Sequence, residues 1–209
     1  MIDAILDQFQ SEKSETLIKL YSNRWRTPYS GLWSLGEFFE SKMAFNDDDY
    51  VEFAKLTQDK VIGTRNDKAN IYDLNEMRKV RELKSSGSNM YSLNKATFNP
   101  TDDLVLNDGV LYDMRVAKEI HKFDKLNQTL SGVFHPNGME VVSNSEVWDL
   151  RTFDLLKTVV SLDQCEVVFT NNGEVMYAIN LEQEDEDGDK YESAFKTLDA
   201  SDYSSIGKF

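Results

Sequence analysis

Cysteine is almost missing from this chain. Cys165 is the only one in 209 residues, so no intrachain disulfide can form, and a reducing setting, nucleus or cytoplasm, is expected. No nucleophile signature surrounds it, and a small buried hydrophobe beside Val167 and Val168 is its expected role. Histidine is nearly as scarce. His121 and His135, with one cysteine and no ligand spacing, do not make a zinc pattern. No apolar run approaches membrane-spanning length, and residues 1–20 carry too many charges for a signal peptide. Basic residues are outnumbered, 23 Lys and Arg against 37 Asp and Glu, for a net charge of −14. That balance argues against direct nucleic-acid binding, which draws on Lys and Arg. Gly63, Gly109, Gly132 and Gly138 sit singly, so no phosphate-cradling loop is present. With so poor an acid, base and nucleophile inventory, a non-catalytic chain without cofactor or metal is expected.

What is present is a repeat. Val147-Trp148-Asp149-Leu150-Arg151 and Leu111-Tyr112-Asp113-Met114-Arg115 both read aliphatic, aromatic, Asp, aliphatic, Arg, and their arginines lie 36 residues apart. Looser copies stand at Leu32-Trp33-Ser34-Leu35 and Ile71-Tyr72-Asp73-Leu74. Periods of this size mark repeat folds, and a Trp-Asp ending points to propeller blades. The runs between them alternate short β-rich segments with Pro, Asn and Gly turns, as at Phe98-Asn99-Pro100, Asn107-Asp108-Gly109 and His135-Pro136-Asn137-Gly138. A fifth start appears at Val167-Val168-Phe169. The fold class is therefore all-β, a partial WD40 propeller of roughly five blade signatures with an incomplete ring. Ile2, Ile5, Leu6, Phe9, Leu17, Ile18 and Leu20 fall at helix-like spacing. The expected organisation is thus a helical and linker segment over 1–31 and a propeller over 32–209, with an acidic insertion at 182–192. Asp47-Asp48-Asp49 reads as a solvated turn. Self-repulsion predicts that Glu182–Glu192 is a disordered, solvated hairpin tip. It is not a calcium loop: with Gly188 as the loop glycine, the first and twelfth positions are Gln183 and Ala194, neither a carboxylate.

Arg115 and Arg151 are the remaining candidates for function. One such arginine after an Asp is most simply a local ion pair. Two at matched positions of consecutive blades lie on one face and form a docking edge, for which the planar guanidinium fork is suited.

The tract Ala96-Thr97-Phe98-Asn99-Pro100-Thr101-Asp102-Asp103-Leu104-Val105-Leu106-Asn107-Asp108-Gly109-Val110-Leu111 resembles the WD40 region of the Vpr-binding protein (mahjong) family. So do Ile120–Lys125, Gly132–Gly138, Trp148–Phe153 and Leu162–Cys165, and the similarity covers residues 47–205. The resemblance implies a substrate receptor of cullin-4 RING ubiquitin ligases, docking on the damaged-DNA-binding adaptor through WDxR motifs and presenting protein substrates. It assigns adaptor binding to Tyr112, Asp113 and Arg115 and to Trp148, Asp149 and Arg151. Tyr112 stands where the family has Trp. Asn75 follows Tyr72-Asp73-Leu74 where Arg would be, so that copy receives no docking role. The expected partners are the adaptor and protein substrates, with neither nucleic acid nor membrane. The alternatives are a generic WD40 interaction scaffold outside the ligase, or a truncated fragment.

Overall fold

The computed structural model describes residues 5–10, 16–22, 29–35, 39–84, 86–123, 131–180 and 195–208; of residues 5–29, 35, 39 and 208 only the backbone enters the description. The described residues form five antiparallel four-stranded sheets in sequence order. Blade 1 holds β1 (Ile5–Gln10), β2 (Thr16–Ser22), β3 (Tyr29–Leu35) and β4 (Phe39–Phe45). Blade 2 holds β5 (Tyr50–Phe53), β6 (Lys60–Arg65), β7 (Lys68–Asp73) and β8 (Arg78–Leu83). Blade 3 holds β9 (Thr97–Phe98), β10 (Leu104–Asn107), β11 (Val110–Asp113) and β12 (Lys118–Lys122). Blade 4 holds β13 (Val133–Phe134), β14 (Glu140–Ser143), β15 (Glu146–Asp149) and β16 (Leu155–Thr158). Blade 5 holds β17 (Cys165–Phe169), β18 (Val175–Asn180), β19 (Phe195–Asp199) and β20 (Ser205–Lys208).

The expected partial propeller is what the chain adopts. The helix expected over 2–20 is not: β1 and β2 pair there as a hairpin, Ile5 opposite Tyr21 and Gln10 opposite Thr16. The physical reason lies in length and partners. Each apolar segment is only six or seven residues long, too short for periodicity to separate helix from strand. Pairing decides instead: β2 bonds β1 on one side and β3 on the other. Glu182–Glu192 lies outside the described residues.

Four apolar clusters join the five blades in succession. Leu32 and Phe45 meet Val51, Val61 and Tyr72; Ile62 and Ile71 meet Phe98, Val105 and Tyr112. Leu106 and Leu111 meet Phe134 and Val141; Val142 and Val147 meet Leu162, Met176 and Leu198. Cys165 is buried in the last cluster as a small hydrophobe, and burial pushes its thiol up. Near the first strands, Lys95 pairs with Glu166 at 2.5 Å and lies over the Tyr50 ring, so that one ammonium ties blades 2, 3 and 5. Polar bonds also cross between blades. Asp102, in the β9–β10 turn, accepts the backbone N–H groups of Lys55, Leu56 and Thr57. His135 bonds the Ala200 carbonyl through Nε2 while its Nδ1 accepts from the Asn137 N–H, which places the proton on Nε2.

The turns between second and third strands of blades 3 and 4 anchor the segments that enter blades 3 and 5. Asp108 and Gly109 both take positive φ, 52° and 73°, the mirror-image hairpin geometry that Asp-Gly favours. The Asp108 carboxylate then accepts from Asn89 N and Tyr91 N on the way into its own blade, while the Asn144 side-chain oxygen, in the matching turn of blade 4, accepts from Gln164 N at the entry to blade 5.

Asp48 corrects a second expectation. It is 2% exposed, not solvated, and accepts from Asn70 Nδ2 at 2.7 Å and Tyr72 OH at 2.5 Å. Burial raises its carboxyl above the usual range, against those two hydrogen bonds. Space for it exists only because residue 63 is glycine; a Cβ there would overlap the carboxylate. Gly63→Ala and Asp48→Ala are therefore each expected to lower the unfolding free energy by about 1–3 kcal/mol, through overpacking and through orphaned buried donors. Denaturant titration reads the loss. Asp47→Ala, at an exposed side chain, is the control expected to change little, and a Gly63→Ala protein as stable as the parent would contradict this account of Asp48.

Candidate functional site

Each third strand from β7 onward ends in an aspartate, and the same turn follows. A β-bulge comes first, between Ile71 and Tyr72, Leu111 and Tyr112, Val147 and Trp148, and Thr197 and Leu198. β3 has it too, between Leu32 and Trp33. The bulge re-aims the strand end. One residue beyond the bulged pair stand Asp73, Asp113, Asp149 and Asp199. Their carboxylates accept the backbone N–H two residues on, at 2.7–2.8 Å: Asn75, Arg115, Arg151 and Ser201. Four residues after each aspartate the chain takes the left-handed conformation at Met77, Ala117, Phe153 and Tyr203, with φ from 50° to 66°. Aspartate suits the position because its short carboxylate can satisfy a turn's own N–H groups.

Only two of these turns carry arginine. Arg115 forks the Asp113 carboxylate through Nε at 3.1 Å and a terminal nitrogen at 2.6 Å. Arg151 forks Asp149 in the same way, at 3.3 and 2.8 Å. The arginine side chains are 76% and 70% exposed, whereas their aspartates are 15% and 9% exposed. Each guanidinium is thus held in a fixed pose with one side facing solvent. The Arg115 guanidinium holds the Asp113 carboxyl down to about 2, and Arg151 does the same for Asp149. Both guanidinium groups are pushed up in return.

The aromatic members of the two motifs point elsewhere. Tyr112 is 2% exposed and packs between blades 2 and 3. Trp148 packs between blades 3 and 4, edge-on to Phe123 at 5.7 Å. The structure therefore joins the six predicted residues into two units of equal design, each a buried or half-buried aromatic anchor, an aspartate that shapes the turn, and an exposed arginine. The turns share an end of the blades with the connections between first and second strands, through Met114 N to Asp103 O and Leu150 N to Met139 O. Exposed Leu56, Met77, Val116 and Met139 belong to the same end.

Sequence reading missed the fourth turn. Leu198-Asp199-Ala200-Ser201 has neither aromatic nor arginine, yet Asp199 accepts from Ser201 as its counterparts do. An aspartate directly after the buried Leu198, at the end of β19, was the available signal.

No protein-family model matches the chain. Protein mahjong of Drosophila melanogaster is 44% identical over 205 residues, 96% of this chain and 13% of its own length. A Caenorhabditis elegans protein named DDB1- and CUL4-associated factor homolog 1 is 40% identical over 197 residues, 91% of this chain and 12% of its own. The Arabidopsis thaliana protein of the same name is 43% identical over 132 residues, 58% of this chain and 7% of its own. The chain thus spans at most 13% of the length of these relatives.

Because the folded carboxyls sit low, the turn stability their ionised form brings is complete above the usual carboxylate range and is lost progressively as pH falls from there through about 2. Arg151→Ala is expected to raise the Asp149 titration midpoint from there. It should stay below the usual range, since the backbone N–H groups of residues 151 and 152 remain. A carboxyl-carbon NMR titration measures it, and an unmoved midpoint would show that the guanidinium is not the dominant partner.

Proposed function

This chain belongs to the family of mahjong and the DDB1- and CUL4-associated factor 1 homologues, and from that premise we propose that it is a non-catalytic receptor module of a cullin-4 RING ubiquitin ligase. In this reading it docks on the damaged-DNA-binding adaptor through Tyr112-Asp113-Met114-Arg115 and Trp148-Asp149-Leu150-Arg151, and presents protein substrates for ubiquitination in the nucleus or cytoplasm.

The observation that carries the reading is the matched pose of two exposed arginines, each forked by its own aspartate on consecutive blades. A guanidinium pre-set in this way loses little freedom on binding and keeps donors for a partner's carboxylate or carbonyl. The apolar side chains around them, Val116 and Met139 among them, supply the rest of what an interface centre needs: an arginine anchor within a surface from which water can be excluded. Tyr112 and Trp148 serve from behind, fixing the strand ends that bear the turns. A second reading has the aspartate pairing in its favour. There the arginines only brace their turns, and the chain is a WD40 scaffold outside the ligase.

The two readings part on a binding assay paired with thermal melts. Arg115→Ala and Arg151→Ala should each weaken adaptor binding by roughly 30-fold or more, the usual result of removing one partner from a hydrogen-bonded charge pair buried on association. The double change should abolish binding, with melting temperatures near the parent's because both side chains face solvent. Asn75→Ala, on the matching turn of blade 2, should do little. A double variant that melts early while its folded fraction binds the adaptor at full strength would establish the bracing role instead.

A further inference from the structure

The fourth strands of blades 2, 3 and 4 each place one side chain on the aspartate turn of the next blade. In blade 2 this is Arg81, opposite Ile71 just before the bulge. Its guanidinium donates to the Met114 carbonyl at 2.5 Å. In blade 3 the matching residue is His121, opposite Leu111. Its ring stacks flat on Phe153, centroids 4.4 Å apart and planes 3° apart. In blade 4 it is Lys157, opposite Val147, which donates to the Asp202 carbonyl at 3.1 Å and lies over the Tyr203 ring at 4.8 Å. Blade 1 has Met43 there, opposite Leu32, packed into the cluster that contains Leu74. Residue type varies, but register and target do not. Arg81, His121 and Lys157 each reach the four-residue turn that follows a third strand.

The target atoms explain what the contact does. The Met114 carbonyl belongs to the peptide group whose N–H, on Arg115, bonds Asp113. With Arg81 on its oxygen and Asp113 on its nitrogen, that peptide plane is held from both sides. Phe153 is the left-handed residue that closes the blade 4 turn, its N–H on the Asp149 carbonyl at 2.9 Å. A stacked imidazole keeps that closing residue in place.

We infer that Arg81 and His121 are positioning residues for docking, each setting the turn that presents the next blade's exposed arginine: Arg81 for Arg115, His121 for Arg151. The inference rests on the docking role proposed for those arginines. Lys157 makes the same kind of contact on a turn that carries Ser201 in place of arginine, and supplies an internal control.

Two readouts on the whole chain test it: affinity for the purified adaptor, and nitrogen-15 relaxation of the Arg115 and Arg151 Nε–H groups without adaptor. His121→Ala should loosen the Arg151 Nε–H, leave that of Arg115 rigid, and weaken adaptor binding roughly two- to tenfold, the span of a lost aromatic stack. His121→Phe, which can stack, should restore both. Arg81→Ala should loosen Arg115 and weaken binding to a similar degree. His121→Ala added to Arg151→Ala should cost no further affinity, as expected for two residues acting through one contact. Lys157→Ala should lower the melting temperature alone. Affinity that responds to Arg151→Ala but not to His121→Ala overturns the inference and leaves the docking role standing. Where Arg151→Ala itself leaves adaptor binding intact, the docking role falls, and relaxation decides: a loosened Arg151 in His121→Ala keeps the positioning contact, and a rigid one removes it.

Discussion

The carboxylate at the end of the third strand in blades 2 to 5 decides where that face of the molecule points. A hairpin of this kind must turn over four residues without exposing its N–H groups to chance pairing, and a backbone leaving a bulge has little to bond with. Aspartate answers both needs within its own side chain. Once Asp113 and Asp149 have ordered their turns, the second oxygen is free to fork an arginine, and the arginine two residues on lies where the fork reaches. In blades 2 and 5 the same turn forms around Asp73 and Asp199 without arginine. The turn is therefore the older requirement in physical terms, and the arginine is an addition that it makes possible.

Burial follows the same repeat. Ile62, Leu106 and Val142 occupy one register position in blades 2 to 4 and are fully buried against the following blade. Tyr177 holds that position in blade 5, opposite Val168, and both are exposed. Burial of this face stops where the succession of described sheets stops, as expected when each sheet hides its apolar side only against its neighbour. Polar contacts between blades, at Asp102, His135 and Lys95, then set the stagger that area burial alone leaves loose.

Much of this was legible in the residues. The period of the aromatic-Asp segments, with Asn, Gly and Pro turns between them, is a strong signal because bulge, turn and blade packing all act on the same few positions. The two arginines stood out for the same reason. Three things were hidden. The hairpin of β1 and β2 has apolar residues that fit a helix as well as a strand, and only pairing with β3 settles it. Asp48 sits in a run of three acids that reads as solvated; its burial depends on Gly63, Asn70 and Tyr72, distant in sequence and ordinary in type. The contacts of Arg81, His121 and Lys157 share a register but no residue type, so no motif announces them.

The central claim is that the end of the propeller bearing the Asp113 and Asp149 turns is the surface that meets the ligase adaptor. Hydrogen–deuterium exchange of the chain with and without the purified adaptor addresses it directly. The account predicts slowed exchange at residues 113–117 and 149–153 together, with the opposite turns at 107–109 and 143–146 unchanged. Protection confined to those opposite turns, or absent from both arginine turns, would contradict it.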